Sequence, residues 1–450
     1  MKYMIAGCLV LLLAGSCTKF LDEPSDKKLA IPGGLSDLQA ILDHFGSMNN
    51  LCPGALEILA DNYYVTDADF SGVTNEVHRN YYLWQPYELA DAWTVYGPIK
   101  NSNVVLDYLP GIPYSPAETP AFENIKGSAL FFRAFYLFAG TELFGKPYSK
   151  TTAATDWGMA LRLTADIGVK TTRSSVKDTY ERIVKDLKEA AALLPVKPLV
   201  KTRPCKPAAY GALARTYLSM HEYDSAGKYA RMGLQLYGDS LLNFNQLSAT
   251  ATAPIQRFNR EVIFHCRSNL FGILNSPRAK IDTVLYNSYD NNDLRKTIYY
   301  RRDAAGAAFF KGDYDGAGNN TGYVFGGIVT DEMLLISAEC YARMGETTLA
   351  MRDLDALLVT RWRTGTYTGR VAANAQEALR LVLAERRKEL LFRGTRWMDL
   401  RRLQLDSDNS VTPRRLINNK SYYLTPQSNS YMLQIPASVI TLTGMPQNPK

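Results

Sequence analysis

The side chains in this 450-residue chain that could do chemistry are spaced in ways that narrow what the chemistry is. Glu385 and Glu389 stand one helical turn apart with Arg386, Arg387 and Arg393 nearby. Side chains at i and i+4 share a helix face, and Glu–Arg pairs there contribute roughly 0.2–0.5 kcal/mol each, so the expected role is to hold a helix together. The stretch Asp313-Tyr314-Asp315-Gly316-Ala317-Gly318-Asn319-Asn320 offers oxygen ligands around turn glycines. It lacks the bidentate glutamate that closes an EF-hand loop, so it reads as a Gly-rich turn. His44, His78, His221 and His265 have no Ser or Cys nucleophile pattern beside them, and the chain has neither Gly-x-Ser-x-Gly nor a phosphate-cradling glycine loop. Six cysteines, at 8, 17, 52, 205, 266 and 340, include no Cys-x-x-Cys. No metal site, cofactor or catalytic residue is expected. Glycosidase carboxylates carry no short signature, however, so a surface polysaccharide-degrading enzyme stands as the alternative to a protein that binds without chemistry.

Binding needs other side chains. Sugar rings have apolar faces that stack on aromatic rings, and hydroxyls that need polar partners; tyrosine supplies a flat face and a polar tip together. Tyr outnumbers Phe, 28 to 17. Tyr63, Tyr64, Tyr81, Tyr82, Trp84 and Trp93 lie close in sequence to Asp61, Asn62, Asp67 and Asp69. A second set, Tyr286, Tyr289, Tyr299, Tyr300 and Tyr314, accompanies Asp290, Asn291 and Asn292. From these the candidate ligand contacts are Trp84 first, then Tyr81, Tyr82, Tyr63, Tyr64, Asp67, Tyr286, Tyr289, Asn291 and Tyr314. Trp93 and Tyr96, at helical spacing, are expected to pack against each other, and Trp397 to anchor a core.

The N-terminus carries a different chemistry. Lys2, an apolar run over residues 4–13 and the small residues Ala14-Gly15-Ser16 have the layout of an export signal. The run is shorter than the ~20 residues a transmembrane helix needs. Cys17 follows at once, and Leu13-Ala14-Gly15-Ser16-Cys17 resembles the lipobox of bacterial lipoproteins, in which the thiol takes a lipid and becomes the first mature residue. Acyl chains contribute roughly 0.8 kcal/mol per buried methylene, so several on one cysteine would hold the chain to a membrane. Residues 1–16 are thus expected to be a signal peptide and 17–33, with Pro24 and Pro32, a lipidated tether. The charge is +7, from 51 Lys plus Arg against 44 Asp plus Glu, with the signs interspersed. That is an ordinary mixed surface, and no nucleic-acid partner is expected.

These side chains must be held by helices. Phe122, Ile125, Ala129, Phe132, Tyr136, Ala139 and Leu143 recur at spacings of three and four, as do Tyr180, Ile183, Leu187, Ala190 and Leu194, which Pro195 follows. Ala214, Tyr217, Ala226, Ala230 and Gly233 match Ala338, Tyr341, Ala350, Leu354 and Leu357 at identical offsets of 3, 12, 16 and 19. A small residue, an aromatic three later and another small residue past a turn is how tetratricopeptide-like helix pairs pack. The copies are over a hundred residues apart, which predicts that they do not form a continuous solenoid. Residues 240–330, rich in Tyr, Asn, Asp and Gly with β-type runs at 261–266 and 323–329, read as an irregular insertion on this frame. Residues 61–96 form a second loop-rich, aromatic region.

Taken together, these segments resemble the SusD/RagB family of nutrient-binding outer-membrane lipoproteins. The resemblance rests on Cys17-Thr18-Lys19-Phe20-Leu21-Asp22-Glu23-Pro24, on residues 129–148 with their ending Leu143-Phe144-Gly145-Lys146-Pro147-Tyr148, and on residues 180–195. It also includes both repeat segments, the block from Glu385 to Arg402, Leu433-Gln434-Ile435-Pro436 and Gln447-Asn448-Pro449. Two departures are Arg393 before Gly394, where members often have an acidic residue, and Gln434 before Ile435, where proline is common. The resemblance implies a mainly α fold, with tetratricopeptide-like helical pairs near 120–237 and 331–403 forming an α-superhelical frame. A loop-rich, partly β insertion region would add a variable binding face from 61–96 and 240–330, all in one domain over 34–450. It further implies an oligosaccharide or peptide ligand, a SusC-like TonB-dependent transporter as partner, and an outer-membrane location facing the cell exterior. A helical-repeat protein-interaction scaffold is the remaining alternative.

Overall fold

The computed structural model describes residues 32–87, 92–238, 240–270, 272–318 and 322–450. The export segment, Cys17 and nearly all of the tether lie outside the described residues, as do Asn319 and Asn320. The frame consists of α1 (Leu35–Asp43), α2 (Tyr96–Tyr108), α3 (Thr119–Phe144), α4 (Val176–Leu193), α5 (Lys206–Ser219), α6 (Tyr223–Tyr237), α7 (Thr330–Arg343), α8 (Thr347–Leu358), α9 (Ala375–Glu389), α10 (Thr395–Leu403) and α11 (Ala437–Thr443). From α2 to α9 each helix packs on the next, and α7 also meets α9. The fold is mainly α, an array of tetratricopeptide-like pairs. No helix among the described residues is long and apolar enough to cross a membrane.

The apolar stripe at 122–143 lies on α3, but its surroundings go beyond an amphipathic face. Every residue from Gly127 to Phe144 is buried, because α2, α4, α10 and the strand Trp157–Ala160 cover the helix from several sides. The α4 stripe is placed as its spacing predicts. Ser175 caps the helix by accepting from the Asp178 N–H at 3.0 Å, and the chain leaves it at Leu194, just before Pro195.

The internal repeat extends into the turns. His221 (φ 60°) and Gly345 (φ 83°) each stand seven residues after the repeat alanine, in the left-handed conformation. The Glu222 N–H donates to the Tyr217 carbonyl at 3.0 Å, and the Glu346 N–H to the Tyr341 carbonyl at 2.9 Å. This is the six-to-one bond that closes a helix with a left-handed residue. The expectation that distance in sequence breaks the solenoid is corrected: α6 packs directly on α7, so the two pairs are neighbours in space. Close approach makes this possible, since a Cβ on Gly227 would fall 2.9 Å from the Cys340 Cβ.

The chain between α6 and α7 loops out and returns. Val262–Phe264 pairs with Ile328–Val329, and Arg267–Asn269 with Tyr323–Phe325, so the two β-type runs find each other. Tyr63–Tyr64 pairs antiparallel with Lys280–Ile281, which joins the early aromatic region to the insertion.

The Glu385–Arg402 block is structural; it has pairs along its own helices, Lys388 with Glu385 at 3.1 Å and Arg402 with Asp399 at 2.9 Å, and it also reaches well beyond them. Arg295 of the insertion reaches Glu385 at 2.5 Å and Glu389 at 3.0 Å, and Arg361 reaches Glu389 at 2.8 Å and Glu261 at 2.8 Å. Arg386 pairs with Asp399 at 2.9 Å, Arg401 with Glu142 at 3.0 Å and Arg402 with Glu339 at 2.5 Å. Arg393 meets Asp331 at 2.7 Å while its guanidinium covers the Tyr314 ring at 3.9 Å. Buried charges persist where they are paired and hydrogen-bonded; these pairs clamp the insertion onto α9 and tie α3, α7, α9 and α10 to one another. Trp397 is fully buried as expected, its Nε1 donating to the Glu142 carbonyl at 2.9 Å.

Candidate functional site

The antiparallel step at Tyr63–Tyr64 brings together three stretches that are far apart in sequence. Residues 61–67, residues 282–283 and the hairpin Arg414–Ile417/Lys420–Tyr423 enclose a cavity of ≈ 640 Å³. Asp61, Tyr63, Tyr64, Asp67 and Tyr82 line it from one side, and Asp282, Arg414, Arg415 and Asn419 from the other. Four of the ten candidate ligand residues, Tyr63, Tyr64, Tyr82 and Asp67, therefore meet at one place.

The floor of the cavity is an aromatic cage around a guanidinium of the chain itself. Arg415 lies 3.7 Å from the Tyr82 ring and 4.8 Å from each of the Tyr63 and Trp84 rings. It also donates to the carbonyls of Ile58 and Ala60. Trp84 Nε1 donates to the Leu59 carbonyl at 2.9 Å, and the Val65 N–H donates to the Tyr82 hydroxyl at 3.1 Å. A desolvated cation against π faces is worth about 2 kcal/mol or more, so this cage fixes the rings and the backbone at 58–65 together.

That cage corrects the leading expectation. Trp84 is only 2% exposed, and its ring faces Arg415. Tyr81 is buried as well. In the insertion, Tyr289 is buried with its hydroxyl donating to the Lys388 carbonyl at 2.8 Å, and Tyr314 is buried under Arg393 with its hydroxyl on Glu261. All four are walls of the protein, and at Trp84, Tyr289 and Tyr314 cations, carbonyls and a carboxylate of the chain itself occupy the faces and tips that a sugar would use. Tyr286 is half-buried, its ring 5.5 Å from that of Tyr300, and Asn291 is exposed, accepting from Lys296 Nζ at 3.1 Å. Neither lines the cavity.

The mouth is built differently from the floor. Tyr64, next in the strand after buried Tyr63, points the opposite way and is 37% exposed. Asp67 opens a short helix and accepts from the Asn418 N–H at 2.8 Å, which ties the hairpin tip across the cavity. Asp282 caps the helix Thr283–Asn287 through the Leu285 N–H at 2.8 Å. Arg414 is exposed, with Nε donating to Ser421 Oγ at 3.1 Å. Asp61 is buried deeper; burial alone would raise its pKa, but Arg396, at 2.6 Å, and Arg387, at 3.4 Å, hold its carboxyl well below the usual range. Asp61 is therefore a fixed anion and a poor proton donor. The mouth presents one open ring face among hydrogen-bonding donors and acceptors.

Asp282, Arg414, Arg415 and Asn419 were missed from the sequence. One signal was present: Asn418-Asn419, between Arg414-Arg415-Leu416-Ile417 and Lys420-Ser421-Tyr422-Tyr423, is a two-residue hairpin turn, and both asparagines have positive φ (49° and 61°). Trp93 and Tyr96 pack together as their spacing suggests, ring centroids 4.8 Å apart and planes tilted by 33°, beside a separate groove with Ile167 and Leu442.

The frame and the face mounted on it define a class. A family model described as SusD-like, starch-binding and associating with the outer membrane matches residues 19–218, and the SusD family model matches residues 330–450. The chain belongs to the SusD/RagB family. Solved structures repeat its fold over nearly their whole length. A SusD superfamily protein from Bacteroides thetaiotaomicron is 20% identical with a TM-score of 0.75, covering 93% of this chain and 100% of its own. A candidate sugar-binding protein from Bacteroides vulgatus is 23% identical with a TM-score of 0.75, covering 94% and 99%. A SusD-like carbohydrate-binding protein from the same species is 18% identical with a TM-score of 0.68, covering 92% and 97%. No curated protein matches the chain in sequence. Residues 219–329, which hold the insertion, fall between the two matched segments.

Proposed function

We propose that this chain captures an oligosaccharide in the Tyr64 cavity and passes it, without breaking bonds, to a SusC-like TonB-dependent transporter, from an outer-membrane position held by lipid on Cys17. The observation that carries the reading is the division within one cavity: a caged, immobile floor and an open tyrosine face ringed by Asp67, Asp282, Arg414 and Asn419. Rigid support under an exposed ring lowers the cost of ordering on binding. Family membership supports a carbohydrate ligand, as do relatives named for sugar binding. The lowered pKa of Asp61 takes that one carboxyl out of the acid role of a glycosidase, which must hold a proton near neutral pH. An oligosaccharide array on the purified chain tests the proposal, with bound glycans recovered and sized. Retention of at least one oligosaccharide at unchanged length is expected. An array without binding, or recovered chains that are shorter, overturns it.

A further inference from the structure

Two of the thiols outside the ligand cavity are side by side. Cys52 Sγ and Cys266 Sγ are 3.1 Å apart, and both residues are buried. Their backbones are held in register independently of the sulfurs. Cys52 forms a parallel bridge with Ser268, the Cys52 N–H donates to the Arg267 carbonyl at 3.0 Å, and the Arg267 N–H donates to the Asn49 carbonyl at 2.7 Å. Asn49 Nδ2 adds a bond to the His265 carbonyl at 2.9 Å. The two cysteines sit where the N-terminal segment crosses the first strands of the insertion, 214 residues apart in sequence. Cys205 and Cys340 are buried elsewhere, at the start of α5 and within α7.

We propose that Cys52 and Cys266 are joined by a disulfide in the exported protein. Two S–H bonds break and one S–S bond forms; the two protons and two electrons pass to a disulfide of the folding compartment, a thiol–disulfide oxidoreductase or a small-molecule disulfide, which leaves as two thiols. Export places the chain where such oxidants persist. The step belongs to folding. Once the pair is enclosed, burial and the adjoining sulfur push the Cys52 thiol well above its ordinary pKa, and a thiolate is the species that exchanges. The bond closes a very long loop and pins the segment leading to the Ile58, Leu59 and Ala60 carbonyls, which hold Arg415 and Trp84, against the insertion. It stands whatever ligand the cavity takes, and it rests on export of the chain.

The test is a non-reducing peptide map of the chain recovered from the cell envelope and alkylated at lysis. A linked peptide containing Cys52 and Cys266, two hydrogens lighter than its parts, is expected. Both cysteines alkylated on separate peptides overturns the proposal. Thermal unfolding gives an independent readout that needs no single variant to be well behaved. After reduction in denaturant and refolding under reductant, the natural chain should melt roughly 5 °C lower, and the Cys52→Ser/Cys266→Ser chain should melt at one temperature with or without that treatment. Equal, treatment-independent melting of both chains counts against the bond.

Discussion

Arg361 and Arg415 are both buried, and the molecule uses them in opposite ways. Arg361, at the junction of the insertion with α9, is answered by carboxylates, Glu261 and Glu389, which are themselves enclosed. Arg415 has no carboxylate partner among the described residues; three aromatic rings and two carbonyls answer it. At the junction, the charges of Arg361, Arg295, Glu261 and Glu389 are turned inward and paired with one another. Beneath the cavity the rings absorb the positive charge, which leaves Asp67, Asp282 and Arg414 directed at the mouth. The first arrangement builds a scaffold; the second underlies the face proposed to bind.

The sharpest way to break the comparison is to delete the first cation. Arg361→Met takes the paired cation from enclosed Glu261 and one of two, the other being Arg295, from Glu389, and should cost about 3–5 kcal/mol in denaturant-induced unfolding, or prevent folding outright. Glu57, between the two regions, accepts from the Gly394 N–H at 3.0 Å and is raised by burial from 4.5 to about 7. The folded chain therefore keeps a proton that the unfolded chain releases. The stability linked to this group is complete below about pH 4.5 and is lost as pH rises through about 7. Glu57→Gln should remove that slope and leave the variant more stable than the natural chain at pH 8, on the order of 2–3 kcal/mol. Arg415→Ala should cost about 2 kcal/mol and shift Trp84 emission to the red, because the cage opens to water. Tyr64→Ala should change stability by less than about 0.5 kcal/mol, since its ring is open to solvent.

The regularity of the frame made it legible. Apolar spacing located α3 and α4, and the repeated offsets located α5 to α8, because packed helix pairs impose a local period on sequence. Contact between α6 and α7 was not legible, since nothing local records that an excursion of ninety-odd residues returns to its starting point. The face was half legible. Composition pointed to the region of Tyr63, Tyr64, Asp67, Tyr82 and Trp84, and alternation along the strand could have separated Tyr63 from Tyr64. Composition could not tell that the Trp84 ring is occupied by Arg415, because a ring that stacks on a sugar and a ring that cages a distant guanidinium have the same neighbours in sequence.

The proposed capture requires that Tyr64, not Trp84, be the ring a glycan meets. Calorimetric titration of the best-retained oligosaccharide into the natural chain and into Tyr64→Ala tests this directly, with the melting temperature of each recorded alongside. The expected result is about a tenfold or greater loss of affinity at an unchanged melting temperature. Equal affinity of the two chains would contradict it.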